Sequence, residues 1–178
     1  MAKAKKKAAK KAAVRKPAAK KAAPKVQPAI QPYLCVKDPA SALAFYEKAF
    51  GFKIHSKFAG PDGKIQHVEI EHGNGRVMLG PECPNSPYRA PSTIGGTSVT
   101  LYVYVNQVDE VTASAKAAGG IVVQEPEDKF WGDRISTVVD PEGHRWCLAT
   151  HLRDVTEAEL RQAMTRMQPE PAAQGASH

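Results

Sequence analysis

The chain is 178 residues long, enough to bury one hydrophobic core with tails but short for two independent ones. Its net charge of +7 is uneven: residues 1–25 hold ten lysines and Arg15 and no acid, so the other 14 basic and 18 acidic residues leave the rest at −4. No run approaches the roughly 20 apolar residues of a membrane span, the lysine-rich start lacks a secretion signal's apolar core, and Cys35, Cys83 and Cys147 form no CxxC pattern, so a cytoplasmic protein with reduced thiols is expected.

Residues 1–28 are built from Lys, Ala and Pro with one valine inside the first 25 positions, which leaves nothing to bury against a core, and disorder is expected there. Lys5, Lys6, Lys7, Lys10, Lys11, Arg15, Lys16, Lys20 and Lys21 are the candidate nucleic-acid contacts. A flexible cationic chain beside a phosphate polymer releases counterions, giving sequence-independent affinity for DNA or RNA that falls steeply with salt. With no aromatic residue to stack on bases, base specificity is not expected. A merely solubilising extension has the same composition.

From Ile30 the pattern changes. IQPYLCVKD reads as a strand, and PASALAFYEKAF spaces Ala42, Leu43, Phe45, Tyr46 and Phe50 as a helix ended by Gly51. Strands follow near FKIHSKF, IQHVEIEH and RVMLG, separated by Pro61-Asp62-Gly63 and Gly73-Asn74-Gly75. After a loop from Pro81 to Gly96 the order recurs: TSVTLYVYV as strand, QVDEVTASAKAA as helix, Gly119-Gly120 as its stop, then strands near IVVQ, RISTVV and HRWCLA.

Residues 29–152 are thus an α+β domain of two βαβββ modules, 29–82 and 97–152, and the internal repeat is the strongest architectural signal in the chain. A final helix is expected across 153–168, with Thr156 and Glu159 as a capping box, before a loose end at 169–178.

The paired modules, with FYEKAFGF ending the first helix and WGDRISTVVDPEGHRWCLATH closing the second module, resemble the glyoxalase/bleomycin resistance/dioxygenase (vicinal oxygen chelate) superfamily, the closing stretch its PhnB-like branch. The resemblance implies a curled, cup-shaped mixed sheet, a small organic ligand and a homodimer. In metal-using members each module gives one ligand from its first strand and one from its last. Those places fall here on Gln31, Met78, Thr100 and Cys147. An amide, a thioether, a hydroxyl and a lone thiol are a poor set for a Lewis-acidic divalent metal, so no metal and no cofactor are expected.

Period-two alternation makes Gln31, Tyr33 and Cys35 and, in the second module, Thr100, Tyr102 and Tyr104 the lining of an aromatic-walled cup, unless the same tyrosines simply fill a packed interior. Trp131 and Arg134 stand where they can close one side, the guanidinium on an anion and the indole on something flat; a local Asp133–Arg134 pair with Trp131 as a lid is the other reading. His67, Glu69 and Glu71 share one strand face and are the place where an unanticipated metal could bind, unless that face is simply solvated. His144 and His151 have no neighbouring nucleophile pattern, and Cys147 beside Trp146 reads as a small buried hydrophobe.

The leading expectation is a metal-independent small-molecule binding protein with a tail able to hold nucleic acid. Its rivals are a lyase or dioxygenase of the same superfamily, using His67 and Glu69 or tyrosine acid–base chemistry, and a nucleoid-associated protein acting through the tail. The tail itself is similar to the Lys/Ala/Pro tails of linker histones and bacterial histone-like proteins.

Overall fold

A computed structural model describes residues 27–167. The nine tail cations and the loose end lie outside the described residues. The first module contains β1 (Tyr33–Val36), α1 (Pro39–Phe50), β2 (Lys53–Ala59), β3 (Ile65–His72) and β4 (Gly75–Pro81). A short helix, α2 (Pro91–Ile94), interrupts the linking loop, which the sequence pattern did not announce. The second module contains β5 (Thr100–Tyr104), α3 (Val108–Ala117), β6 (Ile121–Asp128), β7 (Asp133–Val139) and β8 (Arg145–His151), and α4 (Glu157–Met167) follows.

Each module forms a four-stranded mixed sheet, in the orders β1-β4-β3-β2 and β5-β8-β7-β6. The first strand of each module runs parallel to its last, Tyr33 beside Met78 and Tyr102 beside Cys147, and the other pairings are antiparallel. This is the α+β architecture of two curled sheets that the repeat implies.

α1 begins where Asp38 accepts from the Ala40 amide at 3.0 Å and the Ser41 hydroxyl at 2.7 Å, with Pro39 at a position that needs no amide donor. It ends at Gly51, whose φ of +69° is the left-handed turn glycine adopts without a Cβ penalty. Its apolar face, Ala42, Leu43, Phe45, Tyr46, Ala49 and Phe50, is buried. α3 buries Val108, Thr112 and Ala115, and one core unites Leu34, Val68 and Leu79 of the first sheet with Val138, Trp146 and Leu148 of the second. The modules therefore share one interior.

The DPEGHRW turn between β7 and β8 joins them. Asp140 is buried and accepts four hydrogen bonds: Tyr46 hydroxyl at 2.7 Å, Trp146 Nε1 at 2.8 Å, and the amides of Glu142 at 3.0 Å and His144 at 2.8 Å. Burial first, and Asp140 second, push the Tyr46 phenol well above its ordinary range, so it stays a donor. Glu142 accepts from the amides of Lys37 at 2.7 Å and Asp38 at 3.3 Å, and His144 Nε2 lies 3.0 Å from the Cys35 carbonyl. Glu142 and His144 of one turn thus fix the exit of β1 and the start of α1, and Asp140 ties in the middle of that helix, all from distant positions in the chain.

α4 opens on a capping box, Thr156 N donating to Glu159 at 2.8 Å and Glu159 N to the Thr156 hydroxyl at 3.3 Å, yet it buries no residue. It adds nothing to the core.

Candidate functional site

Alternation in the strands turns Leu34, Leu79, Val138, Trp146 and Leu148 toward the helices and leaves a second face on each sheet. On the second sheet that face carries Tyr102 and Tyr104 from β5, Cys147, Ala149 and His151 from β8, and Asp133, Ile135 and Thr137 from β7. Ile135, Cys147 and Ala149 form a small buried apolar floor of their own.

Asp133 is the centre. It is 4% exposed, and its Oδ2 accepts from the Tyr102 hydroxyl at 2.9 Å and the Tyr104 hydroxyl at 3.0 Å while Oδ1 faces His151 Nδ1 at 2.9 Å. Burial alone would raise this carboxyl, but the bonds from His151, Tyr102 and Tyr104 outweigh it and hold the group below its ordinary value. Desolvation, then Asp133, raises Tyr102; Asp133 itself is the main cause that raises Tyr104. Both phenols therefore keep their protons, which are committed to Asp133.

The rings remain open. Tyr102 is 47% and Tyr104 56% exposed, with centroids 5.4 Å apart, and Trp131, 38% exposed, comes near the Tyr102 hydroxyl and meets Phe130 edge-on. Trp131 is aimed by Gly132, whose φ of +96° turns the chain into β7 and whose missing Cβ would sit 2.1 Å from the Arg153 carbonyl oxygen. Thr137 bonds Gln124 at 3.4 Å beside the floor.

His151 bridges Asp133 and Asp154, the latter at 3.1 Å, and both raise its pKa above the ordinary 6.5, the Asp133 bond most. A raised histidine lends stability fully below the unfolded value and loses it as pH climbs through the folded one, whereas the lowered Asp133 lends stability above 3.8 and loses it in more acid solution. The difference in melting temperature between the natural protein and His151→Gln is thus expected to peak between about pH 4 and pH 6.5 and to vanish in alkaline buffer, which differential scanning fluorimetry across pH checks.

The first sheet gathers a different set. Tyr33 lies 5.7 Å from the His67 ring and beside Met78, and its hydroxyl reaches over Gly80. Arg76 holds Glu69 at 3.1 Å and Glu71 at 3.9 Å, and also bonds Gln27. His55 Nδ1 is 3.0 Å from Glu71, whereas His67 stands 3.7 Å from Glu69. The carboxylates of the IQHVEIEH strand are thus occupied by a guanidinium, and among the described residues no cluster of three or more His, Cys, Asp or Glu is placed to hold a metal. Gln31 donates to the Pro28 carbonyl at 3.4 Å, and its Oε1 is buried without a partner.

The candidate residues consequently fall into two groups, one per sheet. A groove of about 600 Å³ runs along β5 past Thr100, Tyr102 and Tyr104 to Arg76 and His72, and another of about 520 Å³ along β1 past Tyr33, Cys35, Tyr88 and Arg145. Arg134 joins neither. It grips Asp109 of α3 through two bonds, at 2.7 and 2.8 Å, and Asp128 at 2.7 Å, on the helix side of β7. Neither Asp133 nor His151 stands out in the sequence as a ligand contact, although both follow from the same alternation that selects Cys147, since Asp133 and His151 are register partners. Cys147 is buried, and desolvation raises its thiol, as it does at Cys35, so neither is poised as a thiolate.

The four metal-ligand places of the resembling family, Gln31, Met78, Thr100 and Cys147, offer a neutral amide, a thioether, a neutral hydroxyl and a thiol whose pKa is raised, and do not fit a divalent catalytic metal.

Comparison with known proteins agrees with this fold. The chain is 40% identical over 136 residues, 75% of its length, to the uncharacterized protein Mb0911c of Mycobacterium bovis, of which it covers 90%, and to the uncharacterized protein Rv0887c of Mycobacterium tuberculosis, of which it covers 80%. Among solved structures it is similar to TioX from Micromonospora sp. ML1, with 33% identity and a TM-score of 0.56 over 69% of this chain and 98% of that one. It also shares its fold with TnmS3, an antibiotic binding protein from Streptomyces sp. CB03234, at 21% identity and a TM-score of 0.52 over 71% of this chain and 98% of that one. With the family model matching residues 27–148, two βαβββ modules in the fold and relatives at 40% identity, the chain belongs to the Glyoxalase/Bleomycin resistance protein/Dioxygenase superfamily.

Proposed function

We propose that this protein binds a small organic molecule without a catalytic metal, the ligand resting on the Tyr102–Tyr104–Trp131 wall over the Ile135–Cys147–Ala149 floor. The observation that carries this reading is the set of large aromatic rings left open around a buried, fully hydrogen-bonded carboxylate. Phenols whose protons are committed to Asp133 and whose pKa values are raised are poor general bases, which weighs against metal-free catalysis by the tyrosines. TnmS3 is an antibiotic binding protein on the same fold, a likeness that speaks for the fold and not for the ligand.

Within the superfamily we place the chain in the PhnB-like branch, on its WGDR and DPEGHRWCLATH stretches. Exposed Tyr33, Phe58 and Val123, away from the Tyr102–Tyr104–Trp131 wall, favour a homodimer in which a second copy covers them. The cationic tail is proposed to hold DNA or RNA without sequence preference, keeping a cytoplasmic protein near the nucleoid.

A thermal-shift screen of flat aromatic compounds against chelator-treated protein tests the binding reading. Hits are expected to raise the melting temperature of the natural protein by several degrees and to lose that effect in Tyr102→Ala and Tyr104→Ala, whose exposed rings contribute little to the core. Hits that stabilise these variants equally would place the ligand elsewhere.

A further inference from the structure

We propose that the Asp133 cluster selects a flat organic cation, an aromatic or heteroaromatic ring system carrying a positive nitrogen. This deepens the binding reading above and rests on it.

Both tyrosine hydroxyls donate to Asp133, so neither has a proton left to offer a ligand, and their rings are made electron-rich by the carboxylate behind them. Three open aromatic faces, Tyr102, Tyr104 and Trp131, stand within one cluster, and a ring's negative face attracts a cation most where solvent is partly excluded. Asp133 is 6% exposed at its side chain, and among the described residues its one ion-pair partner is His151. The guanidinium that would suit an anion, Arg134, is turned to the helix side and held by Asp109 and Asp128. Of the two cations that act on the Cys147 floor, Lys129 is paired with Glu127 at 2.7 Å and Arg145 stands at the opposite end of β8 from His151. The wall is therefore an acceptor surface backed by a buried negative charge, the complement of a ligand that brings N–H donors or a fixed positive charge.

His151 supplies the control. It faces Asp133 from β7 and Asp154 from the segment after β8, with Tyr104 also on Asp133 and with Arg153 bonded to the Asp154 carbonyl and to Glu159. When protonated it neutralises Asp133, so a ligand cation binds better once His151 is neutral.

The test uses thioflavin T, a flat permanent cation, and anilinonaphthalene sulfonate, a flat anion, with the full chain, read by fluorescence. Thioflavin T is expected to bind and to lose about tenfold or more in affinity in Asp133→Asn. Its affinity should rise several-fold from about pH 6 to about pH 8 in the natural protein and stay flat in His151→Gln, whose exposed side chain can be exchanged without unfolding the sheet. Because the cationic tail attracts anions, only the part of the anion signal lost in Tyr102→Ala is counted as site binding. Equal site affinity for both probes, or thioflavin T binding that is indifferent to Asp133→Asn and to pH, overturns the cation assignment while leaving a binding site. Failure of both probes to sense Tyr102→Ala overturns the site itself.

Discussion

Replacing Asp140 with alanine is expected to lower stability by about 3–5 kcal/mol, most of the margin a domain of this size has. Four donors converge on that carboxyl, and two of them, the Tyr46 hydroxyl and the Trp146 indole, belong to residues with no exposed surface. Removing the acceptor strands both in a packed aromatic cluster where Trp146 lies 5.1 Å from Phe50, 5.3 Å from Tyr46 and 5.7 Å from Phe52. It also frees the turn that places Glu142 under β1 and α1. Urea unfolding of the natural and altered proteins measures the loss directly. Tyr46→Phe, which removes one donor and strands none, is expected to lose only about 1 kcal/mol and remains measurable if Asp140→Ala does not accumulate. A loss below about 1 kcal/mol for Asp140→Ala would show that the turn is not the clamp described here. The same result bears on function, because it assigns the DPEGHRW stretch to joining the modules and not to chemistry.

Deletion of residues 1–26 is expected to abolish retention on duplex DNA at low salt. Those residues carry the whole excess of positive charge, and the remainder of the chain is net negative. For the full chain, affinity should fall on the order of a thousandfold between about 50 and about 200 mM salt, the response of a polycation making six or more phosphate contacts, with no preference among sequences. Filter binding at several salt concentrations, with a scrambled competitor, reads both properties. Equal retention of the deleted protein would move nucleic-acid binding onto the folded domain, and a shallow salt dependence would remove the tail as a polyelectrolyte.

Much of the fold was legible because its determinants are local and repeated. Asp38-Pro39 opens a helix and Gly51 closes one by rules that hold without tertiary context, and the glycine and proline turns separate strands whose order recurs in the second module. The short α2 was not legible: its four residues include one buried position, Pro91, and its first amide donor, Ser92, is satisfied by the Glu142 carbonyl from the distant clamp at 2.9 Å. No periodicity can signal such a contact.

The site was legible in composition more than in geometry. Tyr102, Tyr104 and Cys147 could be placed on one face because they sit inside strands whose alternation is unbroken. Arg134 could not, since its face depends on where β7 begins, and the parity of that start is set by the positive φ of Gly132 and the close approach of Arg153. A shift of one residue exchanges Asp133 with Arg134, a buried anion with an exposed cation, and with them the sign of the expected ligand. Likewise the glutamates of IQHVEIEH read as free metal donors only while Arg76, which occupies them, is out of view on the next strand.

Binding without a catalytic metal is tested most directly by elemental analysis of untagged protein, paired with a thermal-shift titration of Zn, Ni, Mn and Fe(II). The predicted result is substoichiometric metal and no stabilisation, because Gln31, Met78, Thr100 and Cys147 form a poor donor set and Glu69 is already held by Arg76. Near-stoichiometric metal with stabilisation that disappears in His67→Ala or Glu69→Ala would contradict it, and would make this chain a metalloenzyme with its ligands on β3.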